Sequence, residues 1–596
     1  MKGMTGLLLL FAMTASIRAA TYEVGPGREY AELGNVPWLT LSAGDTVLIH
    51  WRQQPYASKI FLRASGTASQ PVVIKGVPNP DGQLPVISGE NATTAPQFAG
   101  YFSSQWTEDL GLILIDRNRR VPPADSEDYK PSHIVIESLA LTGAKPGNTF
   151  TDQFGNTRNY NNFSSAIHAL VVDNLTVRHC KIYDNAQGIF TNSNGNTEGY
   201  ISRNTLIEYN EIWGNGNADE NGKEHNVYIQ SAGTIIQYNY MGRLRPGSVG
   251  ANIKDRSSGT VIRYNWIEGA ARMIDLVETE DAWEIIMQEP NYHDVYVYGN
   301  VLVNDMTQEP FGVNLIHFGH DNSPVEAKRG TLYFYHNTVH IKGNTDIYWY
   351  NRLFDVTTDD GKVALYNNII YKEGTTYLEL MRDKGTLTFY GNNWIQQGYT
   401  ELAYQSDAAV VYEVQPQVGT DPGFVSAAGH DYRLAANSSC INAAAALPEA
   451  LRQDYPADRQ YVLHASSVER PVIGSAADLG AFESDIASSV PAPPVEETVV
   501  PAVRLRQNYP NPFNPSTKIA YAIPDFRQNG RTQSTMAVEL KIFDMRGREV
   551  AVLVQAEQKP GEYEVVFDAG DLPAGLYFYR LRAGNFSTTR RLLLLR

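Results

Sequence analysis

Cysteine is nearly absent from this chain of 596 residues, in which Cys180 and Cys440 are the only two. Two thiols form at most one disulfide, so cross-links cannot stabilise a chain of this length. The two cysteines also lack the CxxC spacing of zinc and redox sites. A disulfide framework therefore does not explain the fold.

Positive charge is also scarce. The chain has 49 Lys and Arg residues against 65 Asp and Glu residues, which gives a formal net charge of −16 at pH 7. A surface of this sign repels phosphate groups, which argues against nucleic acid or an anionic membrane as the main partner. No segment after the N-terminus is long and apolar enough for a transmembrane helix. We therefore expect no nucleic-acid partner and no stable membrane span.

Aromatic and turn-forming residues are abundant by contrast. The chain contains 35 Tyr, 48 Gly and 31 Pro residues, and aromatic residues make up 11% of it. Tyrosine favours strands, whereas glycine and proline favour turns, so the composition predicts a turn-rich, all-β protein. The length exceeds that of one ordinary globular core and indicates two or three structural units.

The first twenty residues have the pattern of a signal peptide. Lys2 supplies the positive charge, Leu7–Met13 the short apolar stretch, and Ala19 and Ala20 the small residues of a cleavage site. The apolar stretch is too short to span a bilayer as a permanent helix. We predict a signal peptide over residues 1–20 and export of the mature chain, with a buried, uncleaved helix as the alternative.

A short pattern that ends in asparagine recurs through the middle of the chain. Its clearest copies are Thr205–Ile212, Thr234–Met241, Thr260–Ile267 and Val295–Asn300. Further copies end at Asn337, Asn368 and Asn392, and an earlier copy has Cys180 in place of the asparagine. The repeat length is about thirty residues, and each copy contains a short alternating strand. Such copies cannot bury an apolar face alone and must stack on one another.

Stacked repeats of this length predict a right-handed parallel β-helix with an inward ladder of asparagine side chains. A propeller and a β-sandwich are the alternatives, but a propeller blade needs about forty residues, and hairpin signals are scarce here. Closing motifs follow at Asp421–Val425, Asp431–Leu434, Ser439–Asn442 and Asp478–Glu483. This series resembles the closing segment of secreted bacterial β-helix proteins. We predict that the β-helix spans residues 21–484.

The composition changes after the β-helix. Residues 485–502 contain four prolines among Ser, Ala, Val and Glu, which predicts a semi-extended linker. From residue 503 onward, turn motifs such as Gln507–Thr517 alternate with strand motifs such as Ala574–Leu581. This alternation predicts a small β-sandwich over residues 503–596.

The ordered motifs of residues 503–596 closely resemble the C-terminal sorting domain of type IX secretion substrates. The resemblance implies passage across an outer membrane by the type IX secretion machinery. It also implies either release of the protein or its attachment to the cell surface. A carbohydrate-binding or adhesive module is the alternative interpretation.

Aligning the strands of successive repeats places polar side chains in register. Apolar residues alternate with polar ones in these strands, so the polar side chains face solvent. One solvent-facing column reads Tyr228, Lys254, Asp275, His317, Asp355 and Glu379. Neighbouring rungs lie about 4.8 Å apart, which puts Lys254 within reach of an ion pair with Asp275. His225 and Arg272 precede their strands by a few residues and flank the same groove.

A column of mixed charge suits the chemistry of acidic sugars. In β-elimination from a uronate, a base removes the proton beside the carboxylate while a cation stabilises the developing negative charge. Lys254 is the candidate base, and Arg256 or Arg272 is the candidate ligand of the carboxylate. Tyr228 or His225 is the candidate acid that protonates the leaving oxygen.

Carboxylates and aromatic rings complete the predicted groove. Asp275 and Glu278 are candidate ligands of a Ca²⁺ ion, and Asp275 is also a candidate anchor for the lysine. The candidate contacts to the sugar are Gln230, Glu278, His317, Asp355 and Trp283. A surface ladder of opposite charges that only stabilises the stack is the alternative explanation of the column.

The stretch Ile253–Asn265 resembles the lysine-bearing rung of the alginate lyase and chondroitinase B family. The resemblance implies that Lys254 lies where that family has its base. That family also has a catalytic arginine about one rung later. In this chain the corresponding strand carries Asp275 and Glu278, and Arg272 stands at its start.

These observations predict an exported β-helix protein that cleaves an extracellular, uronate-containing polysaccharide by β-elimination. A glycoside hydrolase of the same fold is the second hypothesis, and a non-catalytic surface or adhesion protein is the third. Two clustered carboxylates without a required lysine would favour hydrolysis. A groove without converging polar groups would favour adhesion.

Overall fold

The computed structural model describes most of the chain. The described residues are 19–99, 105–116, 130–217, 224–305, 313–343, 351–374, 376–484 and, with short gaps, 504–594. The predicted linker and nearly all of the predicted signal peptide lie outside these residues. The chain divides into two compact units, Met1–Ser489 and Val490–Arg596.

Three long parallel sheets form the first unit, counted over its described residues. Sheet 1 has thirteen strands: Thr21–Val24, Thr46–His50, Val72–Val77, Ser132–Glu137, Asp173–Arg178, Arg203–Glu208, Ala232–Gln237, Ser258–Arg263, Val295–Tyr298, Thr331–Tyr335, Lys362–Tyr366, Thr386–Phe389 and Ala409–Tyr412. Sheet 2 has eleven strands: Ile60–Leu62, Gly111–Asp116, Ser165–Leu170, Gln187–Asn192, Val227–Ile229, Ala251–Asp255, Arg272–Leu276, Val313–Phe318, Asn351–Val356, Glu379–Asp383 and Thr400–Leu402. Sheet 3 has eleven strands: Val86–Ser88, Ala140–Thr142, Lys181–Tyr183, Glu211–Trp213, Tyr240–Met241, Trp266–Glu268, Val301–Asp305, Thr338–Lys342, Ile369–Lys372, Trp394–Gln396 and Gln417–Gly419.

The chain visits the three sheets in turn. The strand Ser258–Arg263 of sheet 1 leads to Trp266–Glu268 of sheet 3, and that strand leads to Arg272–Leu276 of sheet 2. Each strand pairs in parallel with its counterparts one turn earlier and one turn later, as Trp266 does with Tyr240 and Val301. The predicted parallel β-helix is therefore confirmed.

Inward side chains of all three sheets form one apolar core. Ile262 of sheet 1, Ile267 of sheet 3 and Ile274 of sheet 2 are fully buried members of it. Where a strand alternates regularly, the residues on either side of a core residue point outward. The core therefore fixes which side chains face solvent on each sheet.

Asparagine side chains form a ladder at the turn between sheets 1 and 3. Asn265 donates from its backbone N–H and from Nδ2 to Oδ1 of Asn300, at 2.9 and 3.0 Å. The same contacts connect Asn210, Asn239, Asn265, Asn300, Asn337, Asn368 and Asn393. The backbone N–H of Cys180 donates to Oδ1 of Asn210 at 2.9 Å. Cys180 therefore occupies the asparagine position in the copy before Asn210, as predicted.

The last member of this ladder is Asn393 rather than the predicted Asn392. Asn393 directly precedes the strand Trp394–Gln396, as Asn368 precedes Ile369–Lys372. Asn392 has the position of Asn367 in the previous copy, and its Nδ2 donates to the carbonyl of Ala443 at 2.7 Å. Two consecutive asparagines made the position ambiguous in the sequence.

The remaining elements of the first unit are short. Three short strands, Ala92–Thr93, Thr149–Thr151 and Thr157–Asn159, form a separate sheet. Two hairpins near the end pair Phe424–Ser426 with Asp431–Leu434 and Arg459–Val462 with Ser466–Glu469. The described helical segments are Leu33–Asn35, Trp38–Thr40, Pro96–Phe98, Gln105–Glu108, Glu198–Tyr200, Trp283–Ile286 and Glu449–Asp454. None of these described helices has the length and apolar character needed to cross a membrane. Cys180 and Cys440 are buried, free thiols.

The second unit is antiparallel. Its described strands are Arg504–Leu505, Ser516–Ile523, Arg527–Gln528, Arg531–Thr532, Met536–Phe543, Glu549–Gln558, Gly561–Asp568, Gly575–Ala583 and Phe586–Leu594. Ile519 and Tyr521 from one sheet share a buried core with Leu540 and Leu581 from another. Two antiparallel sheets around one core are the arrangement of the predicted small β-sandwich.

We expect the asparagine ladder to contribute measurably to stability. In Asn300→Ala, the backbone N–H of Asn265 loses its acceptor, and the carbonyl oxygens of Ile262 and Tyr298 lose the hydrogen bond from Nδ2 of Asn300. Leaving such buried groups unpaired should lower the free energy of unfolding by about 2–3 kcal/mol. Chemical denaturation measures this loss. The exposed Asn194 provides the control, and an equal loss in Asn194→Ala would contradict the role of the ladder.

A second prediction concerns His168, whose buried ring stacks on Phe190 with centroids 4.5 Å apart. Burial and the nearby Lys59 lower the pKa of His168 to about 3. In the unfolded chain, the His168 side chain binds a proton near pH 6.5. The contribution of the neutral, buried ring to stability is therefore present above that pH and is lost as the pH falls towards 3. Relative to His168→Gln, the protein should lose about 1.4 kcal/mol per pH unit between about pH 6 and 4. The prediction is contradicted if the free energies of unfolding of the two proteins change equally with pH across this range.

Candidate active site

The outer face of sheet 2 carries the predicted column of polar residues. Backbone pairing puts Tyr228 beside Lys254, Lys254 beside Asp275, Asp275 beside His317, and His317 beside Asp355. The flanking Ile253 and Ile274 face the core, so the alternation predicted from the sequence holds in these strands.

The last member of the column differs from the prediction. Arg382, not Glu379, pairs with Asp355, and its Nη1 lies 3.5 Å from Oδ2 of Asp355. Glu379 pairs with Arg352 instead and accepts from its Nε at 2.9 Å. Leu380 and Met381 are both fully buried, which breaks the alternation on which the prediction relied.

A second set of buried asparagines holds the strands of Tyr228 and Lys254 in register. Asn215 donates to Oδ1 of Asn226 at 2.9 Å, and Asn226 donates to Oδ1 of Asn252 at 2.5 Å. Asn226 and Asn252 each precede their column residue by two positions. These hydrogen bonds therefore fix the positions of Tyr228 and Lys254 along the axis of the β-helix.

Asp275 is the central carboxylate of the column. Its Oδ1 accepts from Nδ1 of His317 at 2.6 Å, and its Oδ2 accepts from Lys254 at 2.8 Å and from Arg272 at 3.3 Å. Burial alone would raise the pKa of Asp275, but the charge of Lys254 and the hydrogen bond from His317 hold it well below its usual range. Asp275 is therefore a permanent anion that orients three basic side chains.

Asp321 is a member of the site that the sequence analysis missed. Its carboxylate accepts from Lys254 and from Nη2 of Arg256, the latter at 2.9 Å. The two cations lower the pKa of Asp321 against the opposing effect of burial. Asp321 lies three residues after the strand Val313–Phe318, whereas Glu278 lies two residues after Arg272–Leu276, so the two carboxylates share no offset that the sequence could have shown.

Glu278 fixes the loop that carries Asp321. Its carboxylate accepts from the backbone N–H groups of Asp321, Asn322 and Ser323 at 2.9, 2.7 and 2.7 Å. The side chain of Glu278 is buried, so these three bonds satisfy a charge that water does not reach. Glu278 therefore positions Asp321 in this structure.

Arg256 connects Asp321 to Tyr228. Its buried guanidinium donates to the Tyr228 hydroxyl at 2.9 Å and to the carbonyl of Glu278 at 2.7 Å. The Tyr228 hydroxyl in turn donates to Glu280 at 3.1 Å. Burial raises the pKa of Tyr228, although Arg256 acts in the opposite direction. The phenol therefore keeps its proton at neutral pH.

The other predicted groove residues occupy the edges of the site. His225 is buried, accepts from the N–H of Ala251 at 3.0 Å, and has its pKa lowered to about 3 by burial and by Lys254. Gln230 donates to the carbonyl of Asp281. Trp283, on the helix Trp283–Ile286, is 42% exposed and available for contact with a ligand.

The acidic residues of the site have protein partners in place of a metal ion. Asp275 contacts basic side chains, Glu278 contacts backbone N–H groups, and Asp355 accepts from Asn314 at 2.6 Å. Asp275 and Glu278 therefore do not present free oxygens to a common cation. Among the described residues, no three His, Cys, Asp or Glu side chains are grouped to hold a metal ion. The Ca²⁺ site stays a prediction.

Exposure separates the mouth of the site from its interior. The side chains of Arg272 and Glu280 are 35% and 51% exposed, whereas those of His317 and Lys254 are 2% and 8% exposed. A ligand thus meets Arg272, Glu280 and Trp283 first. The basic and acidic groups behind them form a dry interior in which electrostatic interactions are strong.

Several solved structures are similar to the β-helix. A GH136 lacto-N-biosidase from Eubacterium ramulus is 13% identical, with a TM-score of 0.39, over 67% of this chain and 68% of that one. A mannuronic acid specific polysaccharide family 6 lyase from human gut microbiota is 10% identical, with a TM-score of 0.32, over 67% and 82%. A pectin methylesterase from Aspergillus niger is 9% identical, with a TM-score of 0.22, over 73% and 94%. The names of all three describe carbohydrate-active enzymes, but at these distances no activity of this chain follows from them.

The C-terminal unit matches a known family. No curated protein sequence is significantly similar to the chain. Residues 507–594, however, match the family described as the secretion system C-terminal sorting domain. This match confirms the predicted sorting domain, which indicates type IX secretion and an extracellular or cell-surface location for the protein.

Proposed function

We propose that this protein is a secreted polysaccharide lyase that cleaves a uronate-containing polysaccharide by β-elimination at the outer face of sheet 2. One observation carries the proposal. Arg272 and His317 contact the same carboxylate, Asp275, through its two oxygens. This arrangement supports a carboxylate-binding cation beside a base, which is the pair that elimination next to a carboxylate requires.

Arg272 is the group we assign to the uronate carboxylate. One of its nitrogens contacts Asp275, while the side chain remains 35% exposed at the mouth of the site. A guanidinium can bind a second carboxylate through its remaining N–H groups, since it has five donors in a fixed plane. Neutralising the carboxylate makes the neighbouring C–H more acidic, so the same contact prepares the substrate for proton removal.

His317 is the base in this proposal, in place of the Lys254 suggested by the sequence. Lys254 donates hydrogen bonds to Asp275 and Asp321, whereas a base must present a lone pair. The ionised Asp275 accepts from Nδ1 of His317, and in the neutral imidazole this hydrogen bond places the lone pair on Nε2. Lys254 then acts as a positioning residue that holds Asp275 in its ionised form.

The proposed reaction balances with two side chains. Nε2 of His317 takes the proton from the carbon beside the carboxylate, and the electrons of that C–H bond form a carbon–carbon double bond. The bond to the glycosidic oxygen breaks, and the leaving oxygen takes the proton of the Tyr228 hydroxyl. The raised pKa of Tyr228 keeps this proton in place until the bond breaks.

The carboxylates of the site favour elimination over hydrolysis. Asp275 and Asp321 both contact Lys254 and form a pair of neighbouring carboxylates in this network. A glycoside hydrolase needs one protonated carboxyl group as its acid. The pKa values of both carboxyls are instead lowered by neighbouring cations. At neutral pH neither would carry the proton that hydrolysis requires.

The first test is incubation of the purified protein with a panel of uronate polysaccharides. The ultraviolet absorbance of unsaturated uronate ends should grow with time. His317→Gln removes the proposed base and should lower kcat by about 10²–10⁴-fold. His293→Gln, a histidine outside this network, should leave kcat within about twofold of the unchanged protein.

Three outcomes would overturn the proposal or its assignment of the base. New reducing ends without the absorbance band would indicate hydrolysis, with Asp275 and Asp321 as its carboxylates. Neither signal across the panel would favour a non-catalytic surface protein. A loss in Lys254→Gln with full activity in His317→Gln would return the role of base to the lysine.

A second test separates substrate binding from proton donation. Arg272→Gln should raise KM by at least about tenfold, because a charge-assisted contact to the substrate is lost. Tyr228→Phe keeps the ring but removes the proton, so kcat should fall by about 10²-fold with little change in KM. Arg329→Gln, which removes an exposed pair with Asp360, is the control. An unchanged KM in Arg272→Gln would contradict the carboxylate assignment.

A further inference from the structure

The outer face of sheet 3 holds a cavity of about 450 Å³ that is separate from the site on sheet 2. Side chains of three successive rungs line it: Glu211 and Trp213, then Tyr240, then Glu268. The connection after Tyr240 adds Arg243 to the wall. This volume lies within the range of about 300–1,000 Å³ typical of small-molecule sites.

Two aromatic rings form the walls of the cavity. Trp213 stacks on Tyr183 with centroids 4.9 Å apart and an interplanar angle of 13°, which fixes the orientation of the indole. The Tyr240 hydroxyl donates to Glu268 at 3.2 Å, and its ring packs edge-on against His464. Both rings are thus held in place before any ligand arrives.

Gly242 keeps the space between these rings open. A Cβ atom at this position would lie 2.9 Å from Cβ of Trp213 and 3.1 Å from Cε1 of Tyr240. Any larger residue would therefore fill the gap or push the rings apart. The cavity depends on a residue without a side chain.

The polar groups of the cavity suit hydroxyl groups. Glu211 and Glu268 offer acceptors, and the guanidinium of Arg243 offers donors, so hydroxyls can bond in either sense. The charges of the lining are compensated within the protein, because Glu211 pairs with Lys181 at 3.2 Å and Arg243 lies 4.0 Å from Asp305. Since its cationic groups already have carboxylate partners, the lining favours an uncharged ligand over one that carries a carboxylate or sulfate.

We infer that this cavity binds a neutral pyranose unit of a glycan chain. The apolar C–H face of a pyranose packs on an aromatic ring, and its hydroxyl groups require the mixture of donors and acceptors found here. The cavity therefore gives the protein a second glycan-binding site, which differs in charge preference from the site on sheet 2. The inference does not depend on the proposed lyase activity.

Titration calorimetry and tryptophan fluorescence of the full chain with cellohexaose, mannohexaose, xylohexaose and a hexamer of galacturonate test this inference. At least one neutral hexasaccharide should bind, and the galacturonate hexamer should not compete with it. Trp213→Ala should weaken the binding by about tenfold to thirtyfold, the loss typical of an aromatic side chain at the centre of a binding site. Trp213→Phe keeps a ring and should bind, but its fluorescence should no longer respond to the ligand.

Control variants keep the result decisive. Tyr404→Ala removes an aromatic side chain that is 89% exposed elsewhere on the β-helix and should bind normally. His317→Gln should also bind normally, so failure of this site and failure of the lyase are told apart. The inference is overturned if no neutral hexasaccharide binds, or if binding survives unchanged in both Trp213→Ala and Tyr240→Ala variants that retain the native melting temperature.

Discussion

The pairing of each rung with the next is the constraint on which the rest of the structure depends. In a parallel β-helix, the backbone N–H and C=O groups of each rung must find their hydrogen-bond partners in the neighbouring rungs. Strands meet this need through the parallel sheets, and the turns meet it through buried asparagines such as Asn265 and Asn300. Because each asparagine bonds to its equivalent one turn later, insertions between rungs do not change the register. The long connection from Val277 to Asp294 therefore leaves Lys254 and Asp275 in register with His317.

This constraint makes a densely charged interior possible at the site. Asp275, Lys254 and Arg256 are each almost completely buried, and an unpaired charge there would be strongly destabilising. The fixed spacing of the rungs lets each carboxylate lie between two cationic groups, so the charges compensate one another. Lys254 lies between Asp275 and Asp321, while Asp321 lies between Lys254 and Arg256. A substitution at one member should therefore also affect its neighbours.

Sequence patterns predicted the fold and much of the column, but only where the pattern was regular. The β-helix followed from a repeat that ends in asparagine, and the positions of Tyr228, Lys254, Asp275, His317 and Asp355 followed from alternation. Alternation fails where Leu380 and Met381 are both buried, so Arg382 was missed and Glu379 was wrongly placed. Asp321 was missed for a different reason. It lies in a loop whose position is set by bonds from its backbone to Glu278, and no periodic signal encodes such bonds.

The contacts of Lys254 also show why a matching residue is weak evidence for a matching role. In the sequence, Lys254 stands in a stretch that resembles the rung on which the alginate lyase and chondroitinase B family has its base. In the structure, its amine donates to two carboxylates, whereas the imidazole of His317 contacts a carboxylate through Nδ1. The strand after that of Lys254 presents Asp275 directly beside the lysine, and its carboxylate accepts from the amine at 2.8 Å. In the proposed function the lysine therefore holds an anion instead of accepting a proton.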